Sequence, residues 1–330
     1  MRAAVVGICG PVLTDAEARL FAEARPCGVI LFRRNVQDPA QLAALGAALR
    51  GVLADSAVLM VDQEGGRVAR LRPPHWLAHP PAAVIGARYL QDPGAGLRAA
   101  WLTGALIGAQ CAAAGIDVAC APVLDLRVPA AHEVIGDRAF GEAPEAVAAL
   151  GAAMAEGLLA AGVQPVAKHA PGHGRAAVDS HLDLPVVHAT ALNADIAPFA
   201  ANASLPWMMT AHIVYPLWDA KRPATLSPAV IGAIIRGQIG FDGVLVSDDL
   251  AMHALRGAPA ELARQALAAG CDVALHCTGD PADTEALLKD CPTLTPLAIE
   301  RLGRARALAA QRRSTLDTEA LAAERTRLLA

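Results

Sequence analysis

Ala160-Ala161-Gly162-Val163-Gln164-Pro165-Val166-Ala167-Lys168-His169 holds the key to the fold. An alanine-rich helix stops at a glycine, the residue type that best tolerates the turn ending a helix. The short apolar run after it reads as a buried strand. That strand ends on a cation and an imidazole. The same phrase recurs where Ala113-Ala114-Gly115 precedes Ile116-Asp117-Val118 and where Ala268-Ala269-Gly270 precedes Cys271-Asp272-Val273. Each is the helix-to-strand junction of an alternating architecture.

Working outward, eight strands are expected: Ala3–Ile8, Val29–Phe32, Val58–Asp62, Asp117–Ala121, Val163–Lys168, Trp207–His212, Gly243–Ser247 and Asp272–His276. Most are continuous apolar runs rather than alternating ones, which implies burial on both faces, as in a parallel sheet wrapped by helices. Helical spacing of Val147, Leu150, Met154 and Leu158, and of Leu42, Leu45, Leu49 and Val52, marks core-facing stripes between strands. The expected fold is therefore α/β, a (β/α)8 TIM barrel, with some irregularity near the N-terminus. No linker divides the 330 residues, so one domain spanning 1–330 is expected. The charged amphipathic tail, Thr315 to Ala330, should pack on the barrel.

Bulk properties narrow the function. A net charge of −4 without runs of like charge gives no footprint for nucleic acid or an anionic membrane. Seven scattered cysteines, mostly within apolar segments, look like reduced buried thiols and point to the cytosol. Met1 to Gly10 faintly resembles a signal peptide, but Pro11, Asp15 and Glu17 follow with no small-residue cleavage site, so a first strand is the better reading. Ala99 to Ile116 carries no charge, yet Thr103, Gly104, Gly108, Gln110 and Gly115 interrupt it, and a buried helix leading into a strand is expected.

In such a barrel, reactive groups project from the C-terminal strand ends. There the sequence has Asp62-Gln63-Glu64-Gly65-Gly66-Arg67, then Asp125, then Lys168-His169, then Thr210-Ala211-His212, then Ser247-Asp248-Asp249. The opposite ends carry the Ala-Ala-Gly junctions. Asp248, after Gly243-Val244-Leu245-Val246, falls at the barrel mouth, where a nucleophile or electrostatic stabiliser belongs; Asp249 suits helix capping better. Lys168 to His181 is a shaped loop crowded with titratable groups, since Pro171, Gly172 and Gly174 exclude a regular helix. Within it Asp179 and His181 are two apart and can face the same way, a carboxylate raising an imidazole's basicity for proton transfer. Asp62, Arg70, Arg138, Lys168 and His169 form a ring of charge-assisted groups suited to a polyhydroxylated ligand.

Lys168-His169-Ala170-Pro171-Gly172-His173-Gly174, Asp179-Ser180-His181 and Ser247-Asp248-Asp249-Leu250 together resemble glycoside hydrolase family 3, within it the single-domain bacterial β-N-acetylglucosaminidases. Val61 to Val68 and Gly28 to Asn35 add to the resemblance, which runs from about Gly28 to Cys277. Ala170 departs from it, because the family usually has Phe there. Nothing reads as the second, sandwich domain of larger members. The resemblance implies that Asp248 is the nucleophile of a retaining exo-enzyme and that His181, paired with Asp179, is the general acid and then the general base. It implies that Asp62, Arg70, Arg138, Lys168 and His169 hold N-acetylglucosamine. It further implies a substrate of N-acetylglucosamine β-1,4-linked to anhydro-N-acetylmuramic acid, with or without a peptide stem, cleaved in cytosolic peptidoglycan recycling. No cofactor, metal, nucleic acid or membrane partner is implied, and a monomer is expected. Eleven aromatic residues are few for a series of stacking subsites, which suits an exo-acting enzyme.

Four other readings compete. His169 and His173 are four apart, as in helical zinc sites, but Pro171 and Gly172 break the helix between them. Lys168 at a strand end could serve a Schiff-base aldolase. A catalytically dead sugar-binding protein is argued against by intact Asp248, Asp179 and His181. Asp248-Asp249 superficially resembles the acidic pair of substrate-assisted hydrolysis through an N-acetyl carbonyl.

Overall fold

Strands β1 (Arg2–Gly7), β2 (Pro26–Leu31), β3 (Val58–Val61), β4 (Val118–Ala119), β5 (Gln164–Ala170), β6 (Trp207–Thr210), β7 (Val244–Asp249) and β8 (Val273–His276) pair in sequence order, and β8 closes back on β1. Every pairing is parallel. The computed structural model describes residues 1–129, 131–180 and 182–330. All eight expected strands are present in this closed barrel, and the irregularity expected near the N-terminus is a register shift between Arg2 and Val5 against β2. The fourth strand is shorter than Asp117–Ala121, because Pro122 has no amide to continue the ladder. Pairing resumes beyond it, where Val123 bridges Lys168 and the Leu124 amide donates to the Lys168 carbonyl at 2.7 Å.

Helices fill the connections: α1 (Asp15–Ala24), α2 (Pro39–Val52), α3 (Ala82–Gln91), α4 (Pro93–Ala113), α5 (Pro144–Ala160), α6 (Asn193–Ala201), a π-helical segment (Val230–Gln238), α7 (Pro259–Ala269) and α8 (Pro281–Asp290). Their starts are specified locally. Thr14 and Glu17 form a reciprocal capping box on α1, while Asp38, Asp92 and Asp280 cap α2, α4 and α8. Val147, Leu150, Met154 and Leu158 are buried, as are Leu42, Leu45 and Leu49, so the stripes face the core. The uncharged stretch from Ala99 is the body of α4, running into β4; among the described residues no helix is long and apolar enough to cross a membrane. Helices α9 (Pro296–Arg312) and α10 (Thr318–Leu329) complete the chain. In α10, Glu324 forks onto Arg98 of α4, and buried Arg325 donates to His79 at 2.7 Å and to the Ala78 carbonyl at 3.0 Å.

One device repeats at the N-terminal face. Asp117 accepts the Leu59 amide at 2.7 Å and pairs with Arg50, while its own amide donates to the Leu59 carbonyl. Asp272 does the same with Leu245 at 2.9 Å and with Arg236 and Arg301. These clamps lie at the barrel's stabilising end. Three residues beyond each clamped leucine comes a carboxylate at the opposite end, Asp62 after Leu59 and Asp248 after Leu245.

Close helix packing sets the outer layer. At Gly104 of α4, a Cβ would lie 2.0 Å from the Met154 carbonyl oxygen of α5. Alanine is the better helix former, but here it must push a backbone aside. Gly104→Ala is expected to lower stability by about 1–3 kcal/mol despite that propensity. Urea unfolding checks this; an unchanged or raised midpoint would show that the two helices separate freely.

Candidate active site

Three strand ends supply a buried charge network. Lys168, from β5, lies 2.9 Å from Asp62 Oδ1 and 2.6 Å from Glu64 Oε1. Arg70 reaches Asp62 Oδ2 at 3.1 Å, and Arg138 forks onto both Glu64 oxygens at 2.8 and 2.9 Å. Asp62 and Glu64 are two apart in an extended segment leaving β3, so both carboxylates face the same cations. Gln63 points the other way and ties its loop: its Oε1 accepts the Arg70 and Leu71 amides, and its Nε2 donates to the Leu71 carbonyl.

Electrostatics follow from this arrangement. Burial works against ionised Glu64, yet Arg138 and then Lys168 outweigh it and bring its pKa to about 2. Burial likewise opposes the Asp62 charge, and Lys168 followed by Arg70 drives its pKa well down. Lys168 responds in the opposite sense: burial disfavours its charge, but Asp62 and Glu64 raise its pKa. It is a locked ammonium, whereas a Schiff-base lysine must lose its proton, so the aldolase reading loses its geometric basis.

A second network hangs on Asp125, which is fully buried. It accepts the His169 amide at 3.1 Å, the His173 amide at 2.6 Å and the His169 Nδ1 proton at 2.6 Å. His169 Nε2 is thereby turned toward Arg138, 3.4 Å away. Gly174 lies so close to the Leu126 carbonyl that a Cβ would fall 2.1 Å from its oxygen, fixing the loop's path beside β4. The two histidines meet edge to face at 5.6 Å, with His173 Nε2 directed to Ser180 at 3.0 Å. Among the described residues, no group of three or more His, Cys, Asp or Glu is arranged to hold a metal.

Asp248 stands at the end of β7, and its Oδ1 accepts the Asp249 amide at 2.8 Å. Burial opposes its charge, but His169, His212, that amide and Lys168 together lower its pKa. Asp249 is occupied elsewhere, with Oδ1 accepting the Ala251 and Cys277 amides. It thus ties backbone, as its capping character suggested, without starting a helix. His212 supports the turn from behind, its Nε2 donating to the Asp249 carbonyl at 2.9 Å.

Six residues singled out from the sequence, Asp62, Arg70, Arg138, Lys168, His169 and Asp248, line one cavity of about 150 Å³, with Glu64, His173 and Ser180 beside them. Asp179 is half-buried outside that lining, and its carbonyl accepts the Leu182 and Asp183 amides. His181 lies outside the described residues. From the sequence, Glu64, Asp125 and His212 stand out only as polar groups at strand ends and His173 only as half of a broken zinc spacing, while Ser180 has no role. For Glu64 a signal existed, its two-residue spacing from Asp62; for Asp125 the signal was a lone carboxylate ending an apolar run.

Known proteins resemble this chain in sequence and in fold. The family model described as glycosyl hydrolase family 3 N terminal domain matches residues 8–302. The β-hexosaminidase of Alkalilimnicola ehrlichii is 40% identical over 307 residues, covering 91% of this chain and 87% of that one. That of Thiobacillus denitrificans is 41% identical over 292 residues, covering 86% and 80%. The crystal structure of NagZ from Neisseria gonorrhoeae, in complex with N-trifluoroacetyl-D-glucosamine, superposes with a TM-score of 0.89 at 32% identity, covering 100% and 98%.

The charge network makes the fold acid-sensitive in a defined order. Folding lowers the Glu64 pKa, so its contribution is fully present above its ordinary 4.5 and is lost as the pH falls to about 2. Burial, then His169, lowers the His173 pKa from 6.5 to about 4, so stability is lost across that higher window too. Glu64→Gln should flatten only the lower window in urea titrations carried from neutral to strongly acidic pH. An unaltered profile would mean that the ion pairs contribute nothing to stability.

Proposed function

We propose, because the chain belongs to glycosyl hydrolase family 3 and is a glycoside hydrolase, that it acts as a retaining exo-β-N-acetylglucosaminidase. The observation that carries this reading is the setting of Asp248, a carboxylate kept ionised at the barrel mouth in the same cavity as the Lys168 and Arg138 cations. An ionised carboxylate is the form that attacks an anomeric carbon.

In the first step an Asp248 oxygen forms a bond to the anomeric carbon while the glycosidic bond breaks. The departing oxygen takes the proton of the His181 imidazolium, whose partner is Asp179. In the second step neutral His181 removes a proton from water, the water oxygen attacks the same carbon, and the Asp248 ester bond breaks. Two displacements restore the configuration. Asp62, Arg70, Arg138, Lys168 and His169 hold the sugar hydroxyls, with the first four already tied into one ion-pair network with Glu64 before substrate enters. A cavity of about 150 Å³ suits one terminal sugar rather than a stretch of chain.

The substrate on this reading is N-acetylglucosamine β-1,4-linked to anhydro-N-acetylmuramic acid, released during peptidoglycan recycling. Relatives named β-hexosaminidase at about 40% identity support the N-acetylhexosamine. The cytosol is the proposed compartment, supported by seven cysteines that are all free thiols, six of them buried. A monomer is proposed.

Asp248→Ala should lose roughly 10³-fold or more in turnover, the scale seen when an essential group is removed, while sugar affinity persists. A fluorosugar should form an ester on Asp248; failure to trap one would favour attack by the substrate's own acetamido oxygen. His181→Ala should cost roughly 10²-fold or more on a disaccharide and far less on an activated aryl glycoside, whose leaving group needs little protonation. Equal losses on both would remove His181 from the acid role. Paired chromogenic β-N-acetylglucosaminide and β-glucoside substrates, with the product anomer followed by NMR, test specificity and retention together.

A further inference from the structure

His173 lines the cavity, yet the reaction above gives it no part. Its Nε2 lies 3.0 Å from Ser180 Oγ, and Ser180 is the residue between Asp179 and His181. We propose that His173 is a positioning residue, whose hydrogen bond to Ser180 fixes the segment that presents the proton donor to the scissile oxygen. The proposal rests on the acid role of His181 argued above.

Both ends of this hydrogen bond are anchored to the barrel by other contacts. On the His173 side, Asp125 accepts the His173 amide at 2.6 Å, and the Tyr215 hydroxyl donates to the Gly172 carbonyl at 2.8 Å. On the Ser180 side, the Ala254 amide from the loop after β7 donates to the Ser180 carbonyl at 3.2 Å. Between these anchors, Arg175, Ala177 and Val178 are exposed, so the loop leaves the surface and is brought back at Ser180. His173 and Ser180 are each only 2% exposed, and a bond desolvated to that degree meets little competition from water.

The imidazole is chosen for what Nε2 does. Its Nδ1 is buried and meets no hydrogen-bond partner, a cost that an apolar side chain of similar size would avoid. Filling space is therefore a poor account of a histidine here. Burial, followed by the neighbouring His169, holds its pKa near 4, so the ring is neutral at ordinary pH and does not rival the proton donor.

Three variants test the idea, each assayed on a GlcNAc disaccharide and on an activated aryl N-acetylglucosaminide. The amide end of glutamine reaches the place of Nε2, whereas that of asparagine reaches only Nδ1. Ser180→Ala and His173→Asn should each lose about tenfold or more in kcat/KM on the disaccharide, the worth of one desolvated hydrogen bond, and about twofold or less on the aryl substrate. His173→Gln should keep both activities. Retained aryl turnover also reports that each variant is folded. If Ser180→Ala and His173→Asn lose nothing, or lose equally on both substrates, while His181→Ala is selective for the disaccharide, the positioning role alone is overturned. His173→Gln behaving like His173→Asn would overturn it as well. If His181→Ala itself shows no selectivity, the acid assignment falls and the proposal falls with it.

Discussion

One ammonium holds two carboxylates together at the centre of this molecule. Lys168 touches both Asp62 and Glu64 while almost fully buried, and Arg70 and Arg138 complete the neutralisation. Taking such charges out of water costs several kcal/mol per ion unless geometry and partners restore it. Here each carboxylate oxygen meets a cation, so the ends of β3 and β5 and the loop after β4 are bound into one rigid rim. Removing either carboxylate would leave three cations around the other in a poorly screened place.

That rim also reaches Asp248, adding to the larger effects of His169 and His212. With both strand-three carboxylates occupied, their negative charge is cancelled locally, and Lys168 still acts to lower the pKa of Asp248 across the cavity. The clamps at the other face give this a structural counterpart. Asp117 and Asp272 fix the starts of the strand pairs β3/β4 and β7/β8 in the same way, and each delivers a carboxylate to the opposite mouth. The two carboxylates differ through their neighbours: Asp62 is paired with two cations, whereas Asp248 faces imidazoles and a backbone amide.

The loop after β5 joins the two halves of the site. Asp125 gathers the His169 and His173 amides and the His169 ring, so one buried carboxylate sets both the imidazole turned into the cavity and the start of the loop that leads to Asp179 and Ser180. The short side chains around it allow this crowding. Gly174 has no Cβ to strike the Leu126 carbonyl, and Ala170, at the end of β5, is fully buried against β6.

The sequence by itself determined the alternation of helix and strand, all eight strands, the end of the barrel where polar groups gather, and the six residues from Asp62 to Asp248 that share the cavity. These were legible because apolar runs, glycine stops and strand-end polarity are local: a few consecutive residues state them. Tertiary structure alone decided who pairs with whom. Glu64 meets Arg138 across 74 positions and Lys168 across more than a hundred; Asp125 meets His169 across 44; and the Asp249 carbonyl meets His212 across 37. Such pairs leave no periodic trace, since a closed barrel brings distant strand ends together by curvature rather than by spacing. The charge state of each group follows from those meetings, because in a buried site the nearest partner, not the residue type, sets the free energy of ionisation.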